Sequence, residues 1–372
     1  MRQERRKEQI MSAVFDRTAV GICLTDEKGR FVEVNDAYCN IYGYTRKELL
    51  GSPFTIVVQD KERESAMQLH DRFMDGEPEI PVEWVVRRKD GEPISIVVTA
   101  ALMIDEDGSR YKITTVTDIT HQKRTQEKLE WMEQELKAAA VIQNQLMPLS
   151  PPGLSGYSIS GLSMPSAAVG GDYFDFISVD EHRLIFSLGD VAGKGMPAAL
   201  LMSNLHAIVK GQALSECDPA LCLELTNRLI FPSIPKDRFI SLFFGILDTR
   251  TAGVVSANAG HLPPLLLRRN GDAHRFPKGN LALGLRKHAE YRDTETRLES
   301  GDLLVIYSDG VIEAMSPRGQ EFGEKRLIGS VEARREKPSD EICAGILEDV
   351  NSHSSGQTLS DDLTLIVIKK NQ

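Results

Sequence analysis

The chain has 372 residues, of which 41% are hydrophobic and 26% charged, and a formal net charge of −10. That length allows two or three domains, each with its own core, and the composition is that of a folded chain. The acidic balance argues against a basic nucleic-acid face, and no apolar run approaches the roughly 18–20 residues of a membrane span, so a soluble cytoplasmic protein is expected. The basic cluster Arg2, Arg5, Arg6 and Lys7 reads as a solvated helix start. Five cysteines, at 23, 39, 217, 222 and 343, form no CxxC pair, which excludes a zinc ribbon or thioredoxin-like motif and fits a reducing compartment.

In chain order, two β-rich runs at 21–25 and 31–35 flank a turn with Asp26 and Gly29, which predicts a hairpin. Asn35 and Asp36 are placed to cap a short helix that Gly43 ends. Thr45 and Glu48 have capping-box spacing. Residues 67–74 read as an amphipathic helix. Runs at 82–88, 94–102 and 111–117, separated by Asp90-Gly91 and Asp107-Gly108, predict three consecutive antiparallel strands. The segment 35–51, Asn-Asp-Ala-Tyr through Gly-Tyr-Thr-Arg-Lys-Glu-Leu-Leu-Gly, resembles the helical segment of a PAS domain. Asp118-Ile119-Thr120 resembles the exit from PAS into a signalling helix. The resemblance covers residues 1–120 and implies a sensor domain whose ligand is unknown. Ser52-Pro53-Phe54-Thr55 stands where a flavin-binding subclass carries its reactive cysteine, so adduct chemistry is not expected. Cys39 is read as a buried small residue. His70 offers a haem ligand, against which a plain core or surface histidine is preferred.

Residues 121–147 contain no glycine or proline and are rich in strong helix formers. Leu129, Met132, Leu136, Ala139 and Leu146 repeat at spacings of three and four, with Gln143 in the remaining core position. A coiled-coil linker helix over 121–148 is therefore expected, with Gln143 fixing register in a parallel homodimer.

From 149 to 372, strands are predicted at 157–162, 173–179, 183–188, 240–248, 253–257, 264–268, 303–307 and 363–368. Helices are predicted at 196–214, 218–229, 325–334 and 339–351. Two packed sheets flanked by helices follow, which makes the whole chain α+β. Aspartates stand beside several of these strands: Asp172, Asp190 and Asp309 next to glycine, and the pair Asp361 and Asp362 after Ser360. Carboxylates without cysteine nearby suggest hard, oxygen-ligated cations. Taken singly, each is an ordinary turn residue. The run 170–174 has the outline of a cyclic-dinucleotide synthase motif, but Tyr173 stands where that motif needs an acid. The run 189–195 has the outline of a phosphate loop, but Gly195 replaces the metal-binding hydroxyl.

The motifs 135–148, Gly-Gly-Asp-Tyr-Phe-Asp at 170–175, Gly-Asp-Val-Ala-Gly-Lys-Gly at 189–195, Asn-Ala-Gly-His at 258–261, Ser-Asp-Gly-Val-Ile-Glu-Ala at 308–314 and Asp-Asp-Leu-Thr at 361–364 occur in the order of the SpoIIE/RsbU-like branch of the metal-dependent protein phosphatases (PPM family). With the PAS-like front, the architecture resembles the RsbP type. The resemblance implies a PPM-type two-sheet β-sandwich and hydrolysis of phosphoserine or phosphothreonine on a STAS-type anti-anti-sigma protein. It also implies two Mn²⁺ or Mg²⁺ ions held by Asp172, Asp190, Asp309 and Asp361, with the Val191 carbonyl and, less centrally, Asp362. Two such ions about 3.5–4 Å apart ionise a water and neutralise phosphate charge, so no protein nucleophile is needed. Asp175 is left as a ligand-orienting or turn residue, Asp248 as structural, and His261 as loop packing. Glu313 is either a water-orienting group or a helix-start charge. Lys194 is either a phosphate contact or a solvated cation, and no arginine dedicated to phosphate stands out. The rival reading is a sensor-scaffold that binds a partner without catalysis.

Overall fold

The computed structural model describes residues 2–78, 80–148, 150–213, 218–357 and 359–371. It forms two compact units, Met1–Glu133 and Gln134–Gln372. Among the described residues, no helix is long and apolar enough to cross a membrane.

The first unit contains α1 (Arg2–Arg17), β1 (Gly21–Thr25), β2 (Phe31–Val34), α2 (Asp36–Tyr42), α3 (Arg46–Leu49), α4 (Arg63–Met74), β3 (Val82–Arg87), β4 (Pro93–Ile104) and β5 (Arg110–Asp118). Its strands form one antiparallel sheet in the order β2-β1-β5-β4-β3. Asn35 is fully buried and ties the unit's entry together. Its Oδ1 accepts the Tyr38 N–H at 2.8 Å, capping α2, and the Ile22 N–H at 2.9 Å. Its Nδ2 donates to the carbonyls of Phe15 and Val20. Gly43, at φ 75°, closes α2, and Thr45 and Glu48 make the expected capping box. Phe31, Val34, Tyr42, Leu49, Ile94, Ile96 and Val116 fill the core. Burying each side chain of that size contributes about 1.5–3 kcal/mol.

Helix α5 (Thr120–Leu146) begins where Asp118 Oδ1 accepts the Thr120 N–H at 2.9 Å, which gives the Asp-Ile-Thr exit a capping role. Arg88 holds the other Asp118 oxygen at 2.8 Å. The predicted seam is open around its start, with Leu129 53% and Met132 47% exposed. Gln143 departs from expectation. It is buried, and its amide is spent within the chain: Oε1 accepts the Gly170 N–H at 3.0 Å, and Nε2 donates to the Gly170 carbonyl at 2.7 Å. A side chain paired in this way cannot also set the register of a second helix.

The second unit contains β6 (Tyr157–Met164), β7 (Tyr173–Ser178), β8 (Arg183–Val191), α6 (Met196–Ala213), α7 (Pro219–Ile230), β9 (Ile240–Asp248), β10 (Gly253–Ala259), β11 (Leu265–Leu267), β12 (Ala273–Arg275), β13 (Thr294–Arg297), β14 (Leu303–Tyr307), α8 (Asp309–Ile312), α9 (Gly323–Ala333), α10 (Ser339–His353) and β15 (Leu363–Lys370). Two five-stranded sheets, β13-β10-β9-β8-β7 and β12-β11-β14-β15-β6, pack face to face. Strand alternation sets the layers. Phe186, Phe243, Ile306 and Ile366 point into the space between the sheets. Phe244 and Leu242 face α6 and α7, while Val305, Leu365 and Val367 face α8, α9 and α10. The expected strands and long helices are present. Edge strands β12 and β13 were not anticipated, because their sequences, Ala-His-Arg and Thr-Glu-Thr-Arg, are polar and largely exposed.

Candidate active site

The inner strands β8, β14 and β15 bring acidic residues to one end of the sandwich. Asp190 is the penultimate residue of β8, Asp309 follows β14 and opens α8, and Asp361 lies two residues before β15. All three line a cleft of about 510 Å³ together with Glu313, Ser241, His261 and Lys278. Asp172, just before β7, instead lines an adjoining cavity of about 350 Å³ with Asp362, Gln143 and Gly170.

Close packing explains the glycines beside these acids. A Cβ on Gly310 would clash with the Asp362 carbonyl oxygen, so Asp309 reaches this position only because glycine follows it. Ser308 stitches the two strand ends together. Its Oγ donates to the Asp362 carbonyl at 3.1 Å and accepts the Thr364 N–H at 2.9 Å.

The electrostatics are those of crowded acids. Burial pushes the Asp190 carboxyl up to about 7, reinforced by Asp309, Asp361 and Asp362 and offset by Lys194. Asp172 is pushed well up, first by burial and then by Asp190, while Thr364 and Ser308 oppose the shift. Asp309 rises by burial and then by Asp361. Glu313 rises by burial and then by Asp309, Glu321 and Asp361. Each of these groups would be relieved by a nearby positive charge.

The donor set fits hard divalent cations, since every acid here offers oxygen alone. Asp172 adds an observation of its own: its Oδ2 is buried with no hydrogen-bond partner. Such an atom is costly unless something compensates it. As the side chains lie, among the described residues no three His, Cys, Asp or Glu side chains are grouped closely enough to hold a metal ion. Asp361 is instead paired with Lys194 at 3.2 Å, and the same ammonium donates to the Ser360 carbonyl.

Asp362 is already committed. Its Oδ1 accepts from the Ser166 N–H at 2.7 Å and hydroxyl at 2.9 Å, and its Oδ2 accepts the Gly171 N–H at 2.6 Å. It therefore clamps the 166–172 loop, on the opposite side of the strand start from Asp361. The Val191 carbonyl faces Gly171, where a Cβ would sit 3.0 Å from it.

Asp175 is not among the residues lining the cleft. It is buried, with Oδ2 at 3.6 Å from His206 Nε2 on α6. Asp248 is structural as expected, gripped by Arg250 at 3.0 and 2.6 Å. Glu313 caps the C-terminal end of α8, which removes the helix-start alternative. His261 is held by Asn258, which accepts its N–H at 2.8 Å and donates to its carbonyl at 3.1 Å. Its Nδ1 meets Ser241 Oγ at 2.9 Å. Ser166, Ser241, Ser308 and Lys278 were not singled out from the sequence. Hydroxyls and a lone lysine carry no spacing signature, and only the fold assembles them.

In the first unit, His70 lines an internal cavity of about 80 Å³ with Cys23, Tyr38 and Trp84. At about 10–15 Å³ per water, that is room for several waters and not for a porphyrin. Cys39 is half-buried and is not among the cavity residues.

The sandwich is the fold of a PP2C domain. It resembles the SiaA-PP2C domain of Pseudomonas aeruginosa with a TM-score of 0.58 and 20% identity, over 65% of this chain and 98% of that one. The profile of the Stage II sporulation protein E (SpoIIE) family matches residues 180–371, and a PAS domain profile matches residues 19–121. The chain belongs to the SpoIIE family, with a PAS domain in front. Among curated proteins it is similar to Protein IcfG of Synechocystis sp., 26% identical over 64% of this chain and 42% of that one. It is also similar to Phosphoserine phosphatase RsbU of Bacillus subtilis, 27% identical over 64% of this chain and 71% of that one. The chain thus spans less than half the length of the first of these relatives.

Proposed function

We propose that the chain is a PAS-regulated, Mg²⁺- or Mn²⁺-dependent phosphatase of phosphoserine and phosphothreonine in a partner protein. The observation that carries this reading is the convergence of Asp190, Asp309 and Asp361 on one cleft, with Asp172 and its unpartnered Oδ2 beside it. Membership of the SpoIIE family and similarity to a protein named a phosphoserine phosphatase support it.

Asp172, Asp190, Asp309 and Asp361, with the Val191 carbonyl, would hold two ions, and Asp362 is left to its clamp. When bound, the ions supply an ionised water as nucleophile and positive charge for the phosphoryl oxygens. The chain's own groups do the rest. The crowded carboxylates raise one another's pKa values and so favour cations. Glu313, at the end of α8, holds a carboxylate at the cleft wall to orient water. Phe239 and Leu262 supply apolar wall. The substrate is read as a phosphorylated STAS-type anti-anti-sigma protein, and the chain as a cytoplasmic homodimer joined through the PAS domain and α5.

The test is hydrolysis of a phosphoserine peptide by the full chain with and without Mn²⁺. Activity should require the ion, and Asp190→Asn should lower kcat by roughly a hundredfold or more, since metal charge stabilisation amounts to several kcal/mol. Metal-independent turnover, or an Asp190→Asn variant as active as the parent, would overturn the metal-dependent reading, and no turnover with either ion would leave the scaffold reading standing.

A further inference from the structure

We propose that Lys278 is the side chain that meets the phosphoryl group of the substrate. This rests on the phosphatase reading and names a contact that the sequence left open. The cleft it lines carries Asp190, Asp309, Asp361 and Glu313. A phosphate ester entering such an acidic site is repelled unless fixed positive charge faces it, and ions that satisfy the aspartates do not by themselves orient the incoming anion.

Among the described residues, three cations stand near enough to be considered, and only Lys278 is one of the residues lining the cleft. Lys194 is bound to Asp361 and the Ser360 carbonyl. Arg238 lies over Gly193, where its Nη1 would be 2.8 Å from a Cβ, and points a long 3.5 Å bond at the Ala192 carbonyl. Lys278 lines the cleft itself and, among the described residues, has no hydrogen bond or ion pair.

The backbone under Lys278 is rigid although the side chain is exposed. The Asn280 N–H donates to the Asn258 carbonyl at 2.9 Å, and Asn280 forms a parallel bridge with Ala259. Gly279 passes so close to the Asn258 side chain that any Cβ would collide with it. Asn258 is in turn locked to both backbone groups of His261. The Asn-Ala-Gly-His turn thus works as a platform that fixes residue 278 at the cleft wall. A flexible ammonium on a fixed base suits a phosphate that must be gripped and then released.

The experiment compares the full-length wild type with Lys278→Met and Lys278→Arg, loaded with Mg²⁺. KM and kcat for a phosphoserine peptide, inhibition by inorganic phosphate, and the Mg²⁺ midpoint are measured. Lys278 is exposed and makes no bonds, so both variants should fold. Lys278→Met should raise KM and the phosphate inhibition constant by about tenfold, as expected for one lost charged hydrogen bond, with the Mg²⁺ midpoint unchanged. Lys278→Arg should recover most of that loss. Wild-type values of KM and phosphate inhibition in Lys278→Met would overturn the assignment while leaving the phosphatase reading intact. If the wild type shows no turnover, the phosphatase reading fails. Calorimetric titration with inorganic phosphate then decides the contact: affinity lost in Lys278→Met supports it, and equal affinity overturns it.

Discussion

Asp361 and Asp362 are neighbours of identical chemistry, and the structure gives them opposite tasks. One faces the cleft, and the other accepts three close hydrogen bonds from the 166–171 loop. The sequence shows two equivalent ligand candidates. What separates them is the set of partners each meets: Lys194 for Asp361, and for Asp362 Gly171 and Ser166, the latter nearly 200 positions away. His261 was legible in kind, as a packed loop residue, and its burial has a measurable consequence. Burial pushes the imidazole down to about 4 from an ordinary value near 6.5. Between those values the unfolded chain binds the proton and the folded chain does not. Its contribution to stability is therefore complete above about 6.5 and is lost as pH falls toward about 4, by roughly 3 kcal/mol. Urea unfolding at pH 7.5 and pH 5 should show a loss on acidification that shrinks in His261→Gln. An equal loss in both proteins would contradict the burial account.

At the scale of elements, the long helices and inner strands were readable because their periodicity and their burial agree. The polar edge strands β12 and β13 were not, because they owe their existence to pairing with β11 and β10 rather than to any pattern of their own. Helix α5 shows both outcomes. Its extent followed from composition, but its heptad pattern misplaced Gln143, because a polar residue in an apolar seam looks the same whether its partner is another helix or a loop of its own chain. Replacing Gln143 by Ala removes both bonds to Gly170. It should cost about 1–3 kcal/mol in urea unfolding and shift the Mn²⁺ midpoint of activity. Unchanged values of both would show that the contact carries nothing.

For the whole molecule, a PAS domain followed by a SpoIIE-family domain was legible from the order of the motifs. The geometry of the acids was not, because Asp172 faces a cavity beside the one that Asp190, Asp309 and Asp361 share. The proposed regulation runs through α5: the state of the PAS domain would alter the hold of Gln143 on Gly170, and with it the loop that carries Asp172. Deleting residues 1–120 should therefore change kcat or the Mn²⁺ concentration for half-maximal rate, and identical kinetics in the truncated chain would rule out coupling through the helix. The Gln143 grip is a single side chain on a rod of 27 residues. Adding one residue upstream turns everything before it by about 100° relative to that grip, whereas adding seven restores the angle to within about 20°. A different sensor spliced onto this rod would thus inherit an angular code, in which the number of inserted residues, rather than their identity, decides whether the message arrives in phase.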